Sequence, residues 1–148
     1  MSAPRFADRA ADRCRHYRHV CGLDAFLLEG TGPIYLRAGN TGAIRMPAKL
    51  GEPVRARLAH PGPVIVELDD TSEAWWTMLT TPVHHHLRDY AIFAMLSAAT
   101  AQIVPYGHEV RLPTPRDRSC RWLATPTDSY RPSPDDVVTA IRAYRYEG

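Results

Sequence analysis

Gly62-Pro63-Val64-Ile65-Val66-Glu67-Leu68-Asp69-Asp70-Thr71-Ser72-Glu73-Ala74-Trp75-Trp76-Thr77-Met78-Leu79 is the stretch that decides the fold. Val64 to Leu68 is β-branched and opens on a Gly-Pro signal; Trp75 to Leu79 is aromatic and apolar. Asp-Asp-Thr-Ser-Glu between them is turn chemistry without a helical period. The stretch predicts a β-hairpin, and one this apolar in mid-chain is expected at the centre of a sheet.

Outward from the hairpin, Ala25 to Glu29 and Ile34 to Leu36 read as a second hairpin, and Ala43 to Met46 as a further short strand. Pro47 opens a helical segment, Ala48 to His60, with Leu50, Val54 and Leu58 on one face. Pro53 weakens that segment or moves its start to Glu52. Val83 to Ala99 has helical spacing at Leu87, Tyr90, Ala91, Ala94, Met95 and Ala98. Ile92, Phe93 and Leu96 thicken the stripe and predict burial on more than one side. Gln102 to Pro105, Glu109 to Leu112 and Cys120 to Ala124 are strand-like. The two ends are helical. Residues 3–20 carry Phe6, Ala10, Arg13, Tyr17 and Val20 at three- and four-residue spacing. Residues 134–145 follow a Ser133 cap, Pro134 at the first position and acids in the first turn. The order α-ββ(β)-α-ββ-α-βββ-α predicts a single α+β domain, a largely antiparallel sheet packed with helices.

At 148 residues with 45% apolar content, the chain can bury one real core. Lys49 is the only lysine among 18 basic residues, so 17 are arginine, and the net charge is only +2. This bias matches a GC-rich coding genome and does not make each arginine a phosphate contact. Three cysteines without a Cys-x-x-Cys pair speak against a disulfide framework and a zinc ribbon. With no apolar leader and no long apolar run, a cytoplasmic location and no membrane span are expected.

Candidate chemistry is sparse. Neither G-x-G-x-x-G, a Walker pattern nor G-x-S-x-G is present, and no cofactor is implied. Arg5, Arg9, Arg13 and Arg18 offer phosphates a basic helix face, with Trp75 and Trp76 as surfaces for stacked bases. A solvated helix paired through Asp8 and Asp12, and strands whose tryptophans face the core, explain the same residues. Glu67 and Asp69, with Asp70 and Glu73, could hold a divalent cation if they share a strand face; a solvent-facing turn explains them more simply. His84, His85 and His86 point about 100° apart on a helix, so at most His85 or His86 with Asp89 makes a two-ligand set. With His108 and the acidic turn, they would be the acid-base groups of a small enzyme. A protein partner, a homodimer included, would need an exposed apolar patch or an uncovered edge strand.

Three stretches carry a resemblance: Gly42-Ala43-Ile44-Arg45-Met46-Pro47 with Leu50-Gly51, Gly62-Pro63-Val64 through Leu79, and Ala101 to Pro113 with Cys120-Arg121-Trp122-Leu123. From Phe26 to Arg142 the chain resembles small bacterial proteins related to the N-terminal bifunctional DNA primase/polymerase domain of the archaeo-eukaryotic primase superfamily. The resemblance implies a palm-like fold. It also implies two acids one residue apart on one strand, a histidine on a following strand and a later acid, the acids holding divalent metal for nucleotidyl transfer. Those positions fall on Ile44 to Pro47, near Ala74 or Trp75, and near Ala101 or Gln102, where none of these groups stands. The expectation is a primase-polymerase-like scaffold that binds or regulates without catalysis.

Overall fold

The computed structural model describes residues 2–28, 32–115 and 117–147, and for 2–9 and 147 the backbone alone. In chain order it has α1 (Ser2–His19), β1 (Ala25–Leu27), β2 (Ile34–Arg37), β3 (Gly42–Pro47), α2 (Ala48–Ala56), β4 (Val64–Leu68) and β5 (Ala74–Thr80). After a 3-10 turn at His85–Leu87 come α3 (Tyr90–Ala98), β6 (Gln102–Ile103), β7 (Glu109–Leu112), β8 (Cys120–Ala124) and α4 (Pro134–Glu147). The fold is α+β.

The strands form two antiparallel sheets rather than one. Five run in the order β6-β3-β5-β4-β8 and three in the order β1-β2-β7. The β4–β5 hairpin is central to the larger sheet, with Val64 opposite Met78 and Leu68 opposite Ala74. Both faces of this sheet are covered, which is why its strands lack simple alternation. Ile44, Met46, Val64, Val66, Trp76 and Met78 face α2, α3 and α4, burying Leu50, Val54, Leu96, Val137, Val138 and Ile141. Ala43, Ile65, Leu79 and Cys120 face the smaller sheet and α1, where Tyr17, Ile34, Leu36, Val110 and Leu112 are buried.

Several expectations need correction. Gln102–Ile103 and Glu109–Leu112 lie in different sheets, pairing with β3 and β2 respectively. The helix expected over Val83 to Ala99 is broken, because the Asp89 carboxylate accepts the Ile92 N–H at 2.8 Å and caps a new start there. Of α3 only Leu96 is buried; Tyr90 and Phe93 are exposed, so it is not enclosed on several sides. The buried stripe of α1 is Cys14 and Tyr17, continued by Cys21 beyond its end, while Arg13 and Val20 are exposed. Glu29 of the first hairpin lies outside the described residues. α2 starts at Ala48, ahead of Pro53, and ends at Ala56 instead of His60. Pro53 has no N–H for the Lys49 carbonyl, and burial of Leu50, Gly51 and Val54 holds the helix despite it. At α4 the Ser133 hydroxyl accepts the Asp136 N–H at 3.1 Å, as the sequence predicts.

Candidate functional site

On the sheet face away from α2 and α4, side-chain alternation puts Arg45 of β3 beside Thr77 and Gln102, its partners on β5 and β6. The Arg45 guanidinium lies over the Trp75 ring, 4.4 Å from its centre. Trp75 in turn stands opposite Glu67 of β4, and Glu67 opposite Cys120 of β8. Glu67 feels the charges of Arg45 on β3, Arg111 on β7 of the smaller sheet and Asp117 in the loop after it, the last two joined as an ion pair. Burial pushes the half-buried Glu67 carboxyl above the ordinary carboxylate range, and Arg45 and Arg111 offset part of that rise. Cys120 behind it is pushed up to about 12 by burial, with Glu67 and Asp117 adding to the rise, so it is an inert thiol.

Asp69 is not a strand-face partner of Glu67, because β4 ends at Leu68. Its carboxylate clamps the turn. One oxygen accepts from the Thr71 N–H at 2.8 Å, the Thr71 hydroxyl at 2.6 Å and the Glu73 N–H at 2.9 Å. The other accepts the Trp75 indole N–H at 3.1 Å. The Thr71 hydroxyl and the Trp75 indole, with these backbone N–H groups, hold the Asp69 carboxyl down at about 2. Four donors on one carboxylate make a capping device, and Asp69 shares no strand face with Glu67. Among the described residues no group of three or more His, Cys, Asp or Glu could hold a metal.

The rings of His84 and His86 stack with centres 6.4 Å apart, but they do not join Asp89. His86 Nε2 meets the Asp135 carboxylate of α4 at 2.5 Å, His85 is exposed, and Asp89 is committed to its cap. His86 and Asp89 therefore serve different elements. Trp76 is only 7% exposed, buried in the helix-side core against Gly51, and has no face for a base. Trp75 is half-buried and remains available. Arg13 and Arg18 are exposed on α1, as are Arg15, His16 and His19; Arg15 pairs with Asp12. The side chains of Arg5 and Arg9 lie outside the described residues. The structure does not unite the arginines with the tryptophan. Arg13 lines a cleft with Asp12, His16 and Pro115, whereas Trp75 borders another with Pro47, Lys49, Leu50, Glu73, Thr100, Tyr144 and Arg145.

Sequence reasoning named Arg45 only as a vacancy in a family pattern. Its signal was present, an arginine between Ile44 and Met46 in an otherwise apolar strand. Lys49, Tyr144 and Arg145 gave none, since only tertiary folding brings the ends of α2 and α4 to the hairpin.

Comparison with known protein families, with curated proteins and with solved structures finds no match to this chain. No helix among the described residues is long and apolar enough to cross a membrane.

Proposed function

We propose that the chain is a primase-polymerase-like scaffold that binds nucleic acid without catalysing its synthesis. One observation carries the reading. The three separate positions at which the resemblance would place catalytic groups, around Arg45, Trp75 and Gln102, fall on the adjacent strands β3, β5 and β6. On the resemblance, a guanidinium, an indole and an amide would stand at the positions where two metal ions need carboxylates. A fixed cation in that place supports retention of a negatively charged strand and offers no Lewis acid to its phosphates. The exposed basic side of α1 adds a second contact for the backbone. Three buried free thiols fit the reducing cytoplasm in which we place the protein.

The test is fluorescence anisotropy with labelled single-stranded DNA at about 50 and 200 mM salt, followed by primer extension with Mg²⁺ or Mn²⁺. Binding is expected to weaken steeply with salt. At about 0.7 of slope per neutralised phosphate on a single strand, removing Arg13 and Arg18 together flattens the log–log salt dependence by roughly 1.4. No primer extension is expected. Metal-dependent incorporation abolished by Glu67→Gln would overturn the non-catalytic reading, and absence of binding at the lower salt would overturn the nucleic-acid reading.

A second reading rests on the cleft beside Trp75, about 460 Å³ in volume, with Lys49, Arg145 and Tyr144 on its walls. It suits a small anionic ligand. Saturable Trp75 quenching by a small anion, with no binding of single-stranded DNA, would favour that alternative.

A further inference from the structure

α3 is an unusual surface helix. Its nine residues, Tyr-Ala-Ile-Phe-Ala-Met-Leu-Ser-Ala, include no charge, yet Tyr90 is 82% and Phe93 61% exposed. Ala91, Ala94, Ser97 and Ala98 are exposed beside them. A helix of this composition ordinarily lies inside a protein or against a partner. Next to it runs β6, the short edge strand of the larger sheet. Between them opens a mostly apolar cleft of about 230 Å³, walled by Phe93, Leu87, Leu96, Ala101, Ile103 and Pro105.

We infer that a second copy of this chain covers α3, in a two-fold dimer in which each copy's Tyr90 enters the cleft beside the other's Phe93. Three features select this occupant. The projecting ring and the cleft are neighbours, since the Tyr90 and Phe93 ring centres are 6.4 Å apart. A two-fold axis passing near them therefore brings both knobs to both holes, as a self-complementary interface requires. The adjacent charges are also self-complementary. Arg88 and Asp89 border the cleft, and Arg88 has no ion pair among the described residues. A two-fold axis places the Arg88 of one copy near the Asp89 of the other, and one Asp89 oxygen serves the helix cap. Area agrees as well. At about 200 Å² per aromatic side chain, the exposed parts of Tyr90 and Phe93 alone offer roughly 300 Å², a substantial share of the about 800 Å² that each partner in a standard interface buries. The α1 contact of the proposed nucleic-acid site lies on the opposite side of the larger sheet from α3, whereas Gln102 of that site also lines this cleft.

Sedimentation equilibrium of the full chain from about 1 to 100 µM tests it, a range that brackets the dissociation constants of weak dimers. The expected result is a concentration-dependent dimer. Phe93→Asp and Tyr90→Ser should each raise its dissociation constant about tenfold or more, as loss of a buried aromatic anchor does. Both residues are exposed, so circular dichroism, and the melting temperature at concentrations where the parent is monomeric, should stay unchanged. Leu123→Asp, on β8 at the far edge of the sheet, should leave the dimer intact. A monomer across the whole range, a dimer indifferent to Phe93→Asp and Tyr90→Ser, or equal loss in Leu123→Asp would overturn the inference. So would α3 substitutions that abolish binding of a different protein while the free chain stays monomeric.

Discussion

Thr100 holds a φ of 62° just past the end of α3. The following N–H, of Ala101, bonds back to the Leu96 carbonyl at 2.8 Å, and that of Thr100 to Ser97 at 3.0 Å. This arrangement ends helices where glycine usually stands, and a β-branched residue is strained in it. The side chain is exposed, on the rim of the cleft beside Trp75. Thr100→Gly should therefore stabilise the protein by roughly 1 kcal/mol, read as a higher urea midpoint at constant slope. Two carboxyls should respond to pH in opposite senses. The carboxyl of Asp69 is held at about 2, below its unfolded value. Its stabilising contribution is present above the unfolded value and is lost as pH falls through about 2. Asp69→Asn should be less stable than the parent at pH 7, with the gap closing in acid. Glu67 is raised instead, so its cost is absent below the ordinary carboxylate range and grows as pH rises. Glu67→Gln should be the more stable form at pH 7 and equal to the parent near pH 4. Denaturant titrations from pH 7 down to about 2 check both signs.

The elements depend on close fits that local pattern expresses only in part. In α2, a methyl group on Gly51 would come within 2.4 Å of the Trp76 ring. Alanine is the better helix former by about 1 kcal/mol, yet overpacking of this kind costs about 1–3 kcal/mol. Gly51→Ala should be destabilising, with a lower melting temperature, if the ring rather than helix propensity governs the site. α1 is fixed by a buried relay in which the Trp122 indole donates to the Tyr17 hydroxyl at 2.9 Å, and that hydroxyl donates to the Pro113 carbonyl at 2.7 Å. The hairpins, the cap of α4 and most strand positions were legible because turn residues and β-branched runs act locally. The break at Asp89 was less so, since an apolar helical stripe ran through it. The assignment of β6 and β7 to separate sheets was not legible at all. Pairing between strands far apart in sequence leaves no mark in either one.

Across the whole molecule, two cores lean on a single sheet. Ile141 lies in the helix-side core and Leu36 in the core beneath the smaller sheet, and both are fully buried. Because the larger sheet contributes to both, the chain should unfold as one unit. Ile141→Ala and Leu36→Ala should each cost about 2–5 kcal/mol and leave far-UV dichroism and tryptophan fluorescence with coincident transitions. Separate transitions would mean that the cores are independent. The candidate site belongs to this scale too. The acidic turn and the histidine run drew notice because they are contiguous, and the structure uses them as a clamp and as contacts between elements. Arg45, Trp75 and Gln102 are scattered along the chain and meet only through the order of strands in the sheet.

The Asp69 clamp also bears on how the chain finds its fold. The β4–β5 hairpin closes over a loop of a few residues, an event of about 1–10 µs, whereas its outer neighbours must arrive from far along the chain. A turn already tied by its own carboxylate gives those strands a template on which to assemble. Loss of the clamp in Asp69→Ala should then appear mainly as slower refolding, with the unfolding rate little changed, and a stopped-flow chevron plot would display the asymmetry directly.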